Sequence, residues 1–354
     1  MHSWARGTAG LACAGSLVLA AAGCGGSDGA QDAAGGGHKA ADAKDRPATG
    51  VVTRAQAGKI FDRYERINNR ANKHSDAKVI SQAEAGPVYQ ESKATFRLQK
   101  NWKKKRIEEY KEPFNYIDRK FYIPRKGTAD WFVMVAHSKS PGQKKNKYPG
   151  IFVMQKKSQG WRLVAASYSD TTKIPRIAKD EDGFAQPVTD PDKKRGALAP
   201  SGLSDALFDL YSEEGSTEST GFASSKATRW IRKVPKTQNK LLTPYAEAVF
   251  SRGESGDEQL HALRTSDGGA LALFSTQVRE HDRGTQATAT IHPSGEMKVY
   301  VGETGRPSFF VDWLHQSSAH LPPHGKARLL SSEYIMTGAA PGTDSEGRMP
   351  GVTS

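Results

Sequence analysis

Both cysteines of this 354-residue chain, Cys13 and Cys24, fall within its first 24 positions. Everything beyond them must therefore hold together without a disulfide or a cysteine metal site, by packed cores alone. Met1 to Arg6 carries one basic side chain and the free amine, and Gly10 to Ala22 is a run of small, mostly apolar residues. Such a run, about a dozen positions long, suits an export signal and falls short of the roughly 20 residues that span a bilayer. No second hydrophobic run approaches that length, so the segment predicts export and not a permanent transmembrane anchor.

The end of that run, Ala21, Ala22 and Gly23 before Cys24, resembles the lipobox of bacterial lipoproteins. The resemblance implies that Cys24 receives a thioether-linked diacylglycerol and that residues 1–23 are removed just before it. Ala21 stands where Leu, Ile or Val is more usual, which keeps an ordinary signal-peptidase site as the alternative. Cys13 fits the pattern poorly. Attachment through an N-terminal lipid places the mature chain on the extracytoplasmic face of the cell membrane. Residues 24–52 then read as a disordered tether: between Gly25 and Gly50 seven residues are Gly, seven are Ala and none is aromatic. A coil of this kind has an end-to-end distance of roughly 30 Å. Gly25, Ser27 and Gly29 match the G-x-S-x-G spacing of hydrolases, but that elbow needs a strand-to-helix turn that this segment lacks.

Folded structure is predicted from Thr53. Thr53 and Gln56 have the spacing of a capping box, and Ala57, Ile60, Phe61, Tyr64, Ile67 and Ala71 recur at helical steps. A second helix is expected from Ser75 to Gly86-Pro87, and Val88 to Tyr110 is expected to be partly helical. The period then changes to short aromatic and β-branched runs at Phe114–Ile123, Trp131–Ala136, Ile151–Met154 and Trp161–Tyr168, the last two joined by a turn at Ser158-Gln159-Gly160. Asp170 to Pro200, with four prolines among charges, reads as a connection. Helix at Leu203–Tyr211, mixed structure at Phe222–Phe250 and a hairpin at His261–Thr276 follow, with strands at Thr288–Ile291, Met297–Val301, Phe309–Trp313 and Arg328–Met336. The expectation is an α+β fold of two helix-then-antiparallel-sheet domains, 53–177 and 201–337, with a 178–200 linker and a disordered 338–354 tail.

Ile60-Phe61-Asp62-Arg63-Tyr64 and Leu207-Phe208-Asp209-Leu210-Tyr211 are similar, and each opens a helical part. The match leaves open either a duplicated unit or coincidence. The order of elements resembles NTF2-like and cystatin-like α+β folds. Through NNRAN at Asn68–Asn72, EAGPVY at Glu84–Tyr89, ADWFVM at Ala129–Met134 and LRTSDGG at Leu263–Gly269, the whole chain resembles uncharacterised actinobacterial lipoproteins carrying a domain of unknown function. That resemblance implies no activity.

Charge is unevenly divided. Val51 to Ile177 holds 28 Lys and Arg against 11 Asp and Glu, a net of +17, whereas Ala178 to Ser354 holds 19 against 23, a net of −4. The excess is densest around Lys103, Lys104, Lys105 and Arg106, with a second cluster at Lys139, Lys144, Lys145 and Lys147. Such a surface suits an anionic lipid headgroup or a phosphate-bearing wall polymer. Nucleic acid is the ordinary partner of a basic patch, and export argues against it.

No enzymatic motif is complete. Ser75-Asp76-Ala77-Lys78 has an S-x-x-K spacing without a K-T-G partner. His315, His320 and His324 have spacings that do not converge on a metal, and Asp180, Asp182 and Gly183 are a fragment of a calcium loop. No nucleotide or metal cofactor is expected. Asp118 or Asp130 would serve as a pocket acid only by analogy with an NTF2-like cone. The reading is a lipid-anchored binding protein, not an enzyme. The alternative is a small-molecule binder or enzyme using a cavity between sheet and helices.

Overall fold

The structure, a computed structural model, describes residues 49–212, 219–254, 258–286 and 288–342. It is α+β. The first half runs α1 (Arg54–His74), α2 (Ala77–Ile80), α3 (Gly86–Leu98) and α4 (Lys104–Lys111), then β1 (Asn115–Tyr122), β2 (Trp131–Lys139), β3 (Gly150–Lys157) and β4 (Gly160–Tyr168). The second half runs α5 (Leu203–Asp209), α6 (Lys226–Ile231) and α7 (Val234–Leu242), then β5 (Ala246–Arg252), β6 (Leu260–Arg264), β7 (Ala270–Gly284), α8 (Lys298–Val301), β8 (Ser308–Leu321) and β9 (Arg328–Pro341).

The predicted capping box opens α1, with the Gln56 amide donating to Thr53 Oγ1 at 3.1 Å and the Thr53 amide donating to Gln56 Oε1 at 2.8 Å. The helical spacing puts Ala57, Phe61, Tyr64, Ile67 and Ala71 on one buried face. Phe61 meets Tyr116, Phe121, Phe132 and Phe152 at ring-centroid distances of 6.0–6.4 Å, which seats the helix on the first sheet.

That sheet is an antiparallel meander in the order β1-β2-β3-β4. Successive strand residues face opposite ways. Phe132, Met134, Phe152, Met154 and Leu163 therefore pack against α1, while Val133, Val135, Ile151, Val153 and Val164 point to the other side. Those residues meet Leu263, Leu271, Leu273 and Leu330 of the second sheet. The second sheet turns its other face, with Ala272, Phe274, Val278 and Leu329, toward Leu203, Leu207 and Leu210 of the α5 region and Ile231 of α6. The molecule is thus layered helix, sheet, sheet, helix. β5 pairs with Val278–Gly284 end of β7 and β6 with its Ala270–Phe274 end, so the two lie end to end along one edge. Together they occupy the place that β1 has in the first sheet.

The connection between the halves is tied to both. The Ala178 amide donates to Arg264 O and the Val188 amide to Ala262 O, along β6, while the Ala185 amide donates to Ile123 O beyond β1. Ile177 and Ala185 are buried in the layer between the sheets. Other expectations shift. The tether's last residues belong to the fold, with the Val51 amide donating to Pro124 O and Val52 buried. Ser75 takes a left-handed conformation (φ 53°) that ends α1 and leaves only one turn, α2, where a longer helix was expected. Met297–Val301 is a helical turn and not a strand, because Gly295 and Gly302 both adopt positive φ and Met297 plugs a small core with Phe309 and Val311. Among the described residues Thr288–Ile291 makes one bridge, Ile291 to Arg306, and no strand. β9 continues through Pro341, so residues 338–341 are strand and not tail, and residues 343–354 lie outside the described residues.

Leu271 and Leu273 are nearly inaccessible to solvent, and each contributes roughly 1.5–3 kcal/mol by burial. Because this layer belongs to both halves, Leu273→Ala, at a cost of about 2–5 kcal/mol, is expected to lower one cooperative thermal transition of the whole chain. Calorimetry that resolved two transitions, with only one of them moved, would show that the halves unfold independently.

Candidate anion-binding surfaces and cleft

Cys24 lies outside the described residues. The two basic clusters are described, and they occupy different places. Lys103, Lys104, Lys105 and Arg106 form the start of α4. Lys104 and Lys105 reach Glu108 and Glu109 at 3.9 Å, pairs that leave the ammonium groups almost fully in water. Arg106 lies over the Trp102 ring at 3.6 Å, and burial lowers the pKa of its guanidinium. This end of α4 sits near the second half, where Asn101 donates to Gly295 O at 2.7 Å and Arg97 covers Tyr300.

Lys144, Lys145 and Lys147 lie in the loop between β2 and β3, beside Lys139 at the end of β2. Lys145 Nζ donates to Asp118 Oδ2 at 2.5 Å, and that hydrogen bond holds the Asp118 carboxyl below its ordinary range. Asp118 takes φ 55° at a bulge in β1, a conformation that Asp tolerates better than most residues. The bulge aims Arg119 at α1, where it bonds Asp62 and Glu65 at 2.6 Å each. Among the described residues no ion pair joins the Lys144–Lys147 loop to Lys103–Arg106.

A third basic site was not legible in the sequence. At the opposite end of the first sheet, the chain entering the fold, the end of β1 and the connection lie side by side. The Lys126 amide donates to Thr49 O at 2.8 Å, and the Ala185 amide to Ile123 O at 2.9 Å. Gly50 permits this approach, since a Cβ there would stand 2.8 Å from Ile123 and 3.0 Å from Phe184. Arg125 bonds Asp180 at 2.8 Å and Asp182 at 2.6 Å, so the residues that resembled a calcium loop clamp an arginine instead. Between these strips lies an open cleft of about 710 Å³. Val51, Phe121, Ile123 and Phe184 form its apolar wall, and Arg54, Lys126, Lys156 and Lys179 stand around it. None of these four cations forms an ion pair with a described residue, and none of the described residues lining the cleft is a carboxylate. The four are scattered over more than 120 positions of sequence, so no local pattern marked them.

The remaining candidates resolve as structure. His315 and His320 point to opposite faces of β8. His315 is enclosed, sharing hydrogen bonds with Tyr211 at 2.7 Å and Ser332 at 2.9 Å, and burial pushes its imidazole down to about 3. His320 pairs with Asp267 at 3.1 Å. Among the described residues no group of three His, Cys, Asp or Glu could hold a metal. Asp130 is exposed and bonds Gln155, and Asp118 is half in water, so neither is a pocket acid. Asp76, not Ser75, caps α2, accepting from the Lys78 and Val79 amides.

A buried carboxyl pair on β7 has no local signature in the sequence. Glu280 Oε2 accepts from Trp313 Nε1 at 2.8 Å, and Asp282, two residues along the same face, is pushed up to about 8 by burial and by Glu280. A carboxyl whose pKa is higher folded than unfolded stabilises most at low pH and loses that contribution as pH rises toward 8. The contribution of the pair to stability is thus expected to fall between about pH 4 and 8, each carboxyl by at most about 1.4 kcal/mol per pH unit, against an opposite trend below about pH 6.5 from buried imidazoles such as His315. Asp282→Asn should flatten this dependence in denaturant titrations at several pH values. An unchanged slope in the variant would remove the pair as its source.

The family described as a domain of unknown function, DUF8094, matches residues 48–341. An uncharacterized lipoprotein of Streptomyces coelicolor is 28% identical over 332 residues, covering 92% of this chain and 91% of the relative. A second S. coelicolor uncharacterized lipoprotein is 25% identical over 81% of this chain and 85% of its own length. An uncharacterized lipoprotein of Streptomyces avermitilis is 28% identical over 60% of this chain and 62% of its own. No solved structure matches the chain.

Proposed function

The chain belongs to the DUF8094 family, and from that premise we propose that it is a lipoprotein held by its N-terminal lipid on Cys24 at the extracytoplasmic face of the membrane. Its role is binding, not catalysis, with the basic first half turned toward anionic lipids or wall polymers. The lipoprotein names of relatives aligned over most of their length support the anchor. Among the described residues no helix is long and apolar enough to cross a membrane.

One observation carries the binding reading. Of the 28 basic residues between Val51 and Ile177, only Lys104, Lys105, Arg119, Arg125 and Lys145 lie within 4.0 Å of a described carboxylate. Most of the excess charge is therefore left to solvent, where it sets a field that reaches about a Debye length outward, roughly 8 Å at physiological salt. Large side chains such as Phe61, Phe152 and Phe222 fill the spaces between helices and sheets, which favours surface binding over an enclosed reaction cavity.

The lipid-free mature chain is expected to bind phosphatidylglycerol vesicles and to ignore phosphatidylcholine vesicles. Lys103→Glu, Lys104→Glu and Lys105→Glu together should weaken binding by about a hundredfold or more, since each base near an anionic surface is worth about 1 kcal/mol. Flotation assays across a salt series check this. Binding indifferent to salt and to the triple reversal would reduce the charge to a solubility feature.

A further inference from the structure

We propose that the cleft between residues 49–56, 121–126 and 179–184 seats one molecule of anionic phospholipid drawn from the membrane that anchors the chain. The lipid phosphate lies among Arg54, Lys126, Lys156 and Lys179, and the upper part of the acyl region lies along Val51, Phe121, Ile123 and Phe184. The inference deepens the preceding reading by naming the ligand of one discrete site.

Three features converge on this occupant. The first is chemistry: four cations without ion pairs among the described residues stand over an apolar wall, none of the described lining residues is a carboxylate, and of the neighbouring acids Asp180 and Asp182 are taken up by Arg125 while Glu181 is exposed. A hydrophilic anion would leave that wall wetted, and an apolar ligand would leave the cations without a partner. An amphiphilic anion satisfies both. The cleft also contains Thr53, Arg54 and Gln56 at the N-terminal end of α1, a 21-residue helix whose dipole adds to the positive potential.

The second feature is size. A space of about 710 Å³ falls in the range of small-molecule sites, roughly 300–1,000 Å³, and far exceeds one phosphate ion. It holds a headgroup and the first part of the chains, the rest staying in the bilayer. The third is position. Thr49 and Gly50, where the tether joins the fold, line the cleft. With the lipid on Cys24, the 25 residues from Cys24 to Ala48 span at most about 90 Å whatever their conformation, so the anchor confines this end of the molecule near the leaflet and raises the local concentration of its lipids. The Lys144–Lys147 loop lies at the other end of the sheet, about 25 Å away along strands of eight or nine residues.

The test uses the mature chain from residue 25, without its lipid, and dihexanoyl phosphatidylglycerol below its micelle concentration, followed by calorimetry. One-to-one saturable binding is expected. Lys156→Glu with Lys179→Glu, both exposed, should weaken it by about thirtyfold or more with an unchanged melting temperature. Dihexanoyl phosphatidylcholine and inorganic phosphate should each bind at least about tenfold more weakly, the first lacking net charge and the second lacking the apolar part. The Lys103–Lys105 triple reversal should leave this binding intact while it lowers vesicle adhesion, so failure of the cleft and failure of the general anionic reading are told apart. Equal binding of inorganic phosphate would overturn the lipid in favour of a bare anion site. Binding that appears only after residues 25–48 are deleted would overturn it in favour of the chain's own tether. Indifference to the double reversal would place the ligand elsewhere.

Discussion

The apolar layer between the two sheets is the constraint from which the rest of the molecule follows. Val133, Val153 and Val164 on one side and Leu263, Leu271 and Leu273 on the other leave no solvent face on the centre of either sheet. Each sheet must then cover its second face with helices, which α1 does for the first and the α5–α6 region for the second. With both faces of both sheets occupied, exposed charge is confined to helix surfaces, loops and the ends of strands. The three basic groups of the first half are found in those places: the start of α4, the loop after β2 and the cleft beyond β1.

The layer is not wholly apolar. Ser167 of β4 donates to Ser318 of β8 at 2.9 Å, and the Ala166 amide donates to Gln316 at 3.3 Å. β8 alternates between these polar residues facing the first sheet and His315, Ser317 and Ala319 facing the helices. Such a seam adds direction to a contact that apolar burial alone would leave free to slide, because each buried polar atom is satisfied in only one register. The connection between the halves uses the same logic, with backbone bonds to β6 and to Ile123.

Much of this order is visible in the residues. The switch from helical spacing at Ala57–Ala71 to short aromatic and β-branched runs predicts α1 and the first meander, and Thr53 with Gln56 marks where the fold begins to be helical. The Ser266–Gly269 turn marks the β6–β7 hairpin. What the residues hide is set by distant neighbours. Phe132-Val133-Met134-Val135-Ala136 has no polar alternation, since both sides are buried, and the run alone does not tell that a second sheet supplies the other side. Met297–Val301 looks like a strand by composition and is helical because two positive-φ glycines bracket it. The prolines of 170–200 read as a linker, although their neighbours Ile177 and Ala185 are core. The cleft is hidden most completely, because its four bases come from α1, the turn after β1, β3 and the connection.

Hydrogen exchange on the lipid-free mature chain, with and without phosphatidylglycerol vesicles, locates the surface that meets an anionic membrane. Slowed exchange is expected at residues 49–56, 103–106, 121–126 and 179–184, with α7 and β5 unchanged. Protection centred instead on the exposed Leu241, Tyr245 and Val249 of the second half, with the first half unaffected, would contradict it.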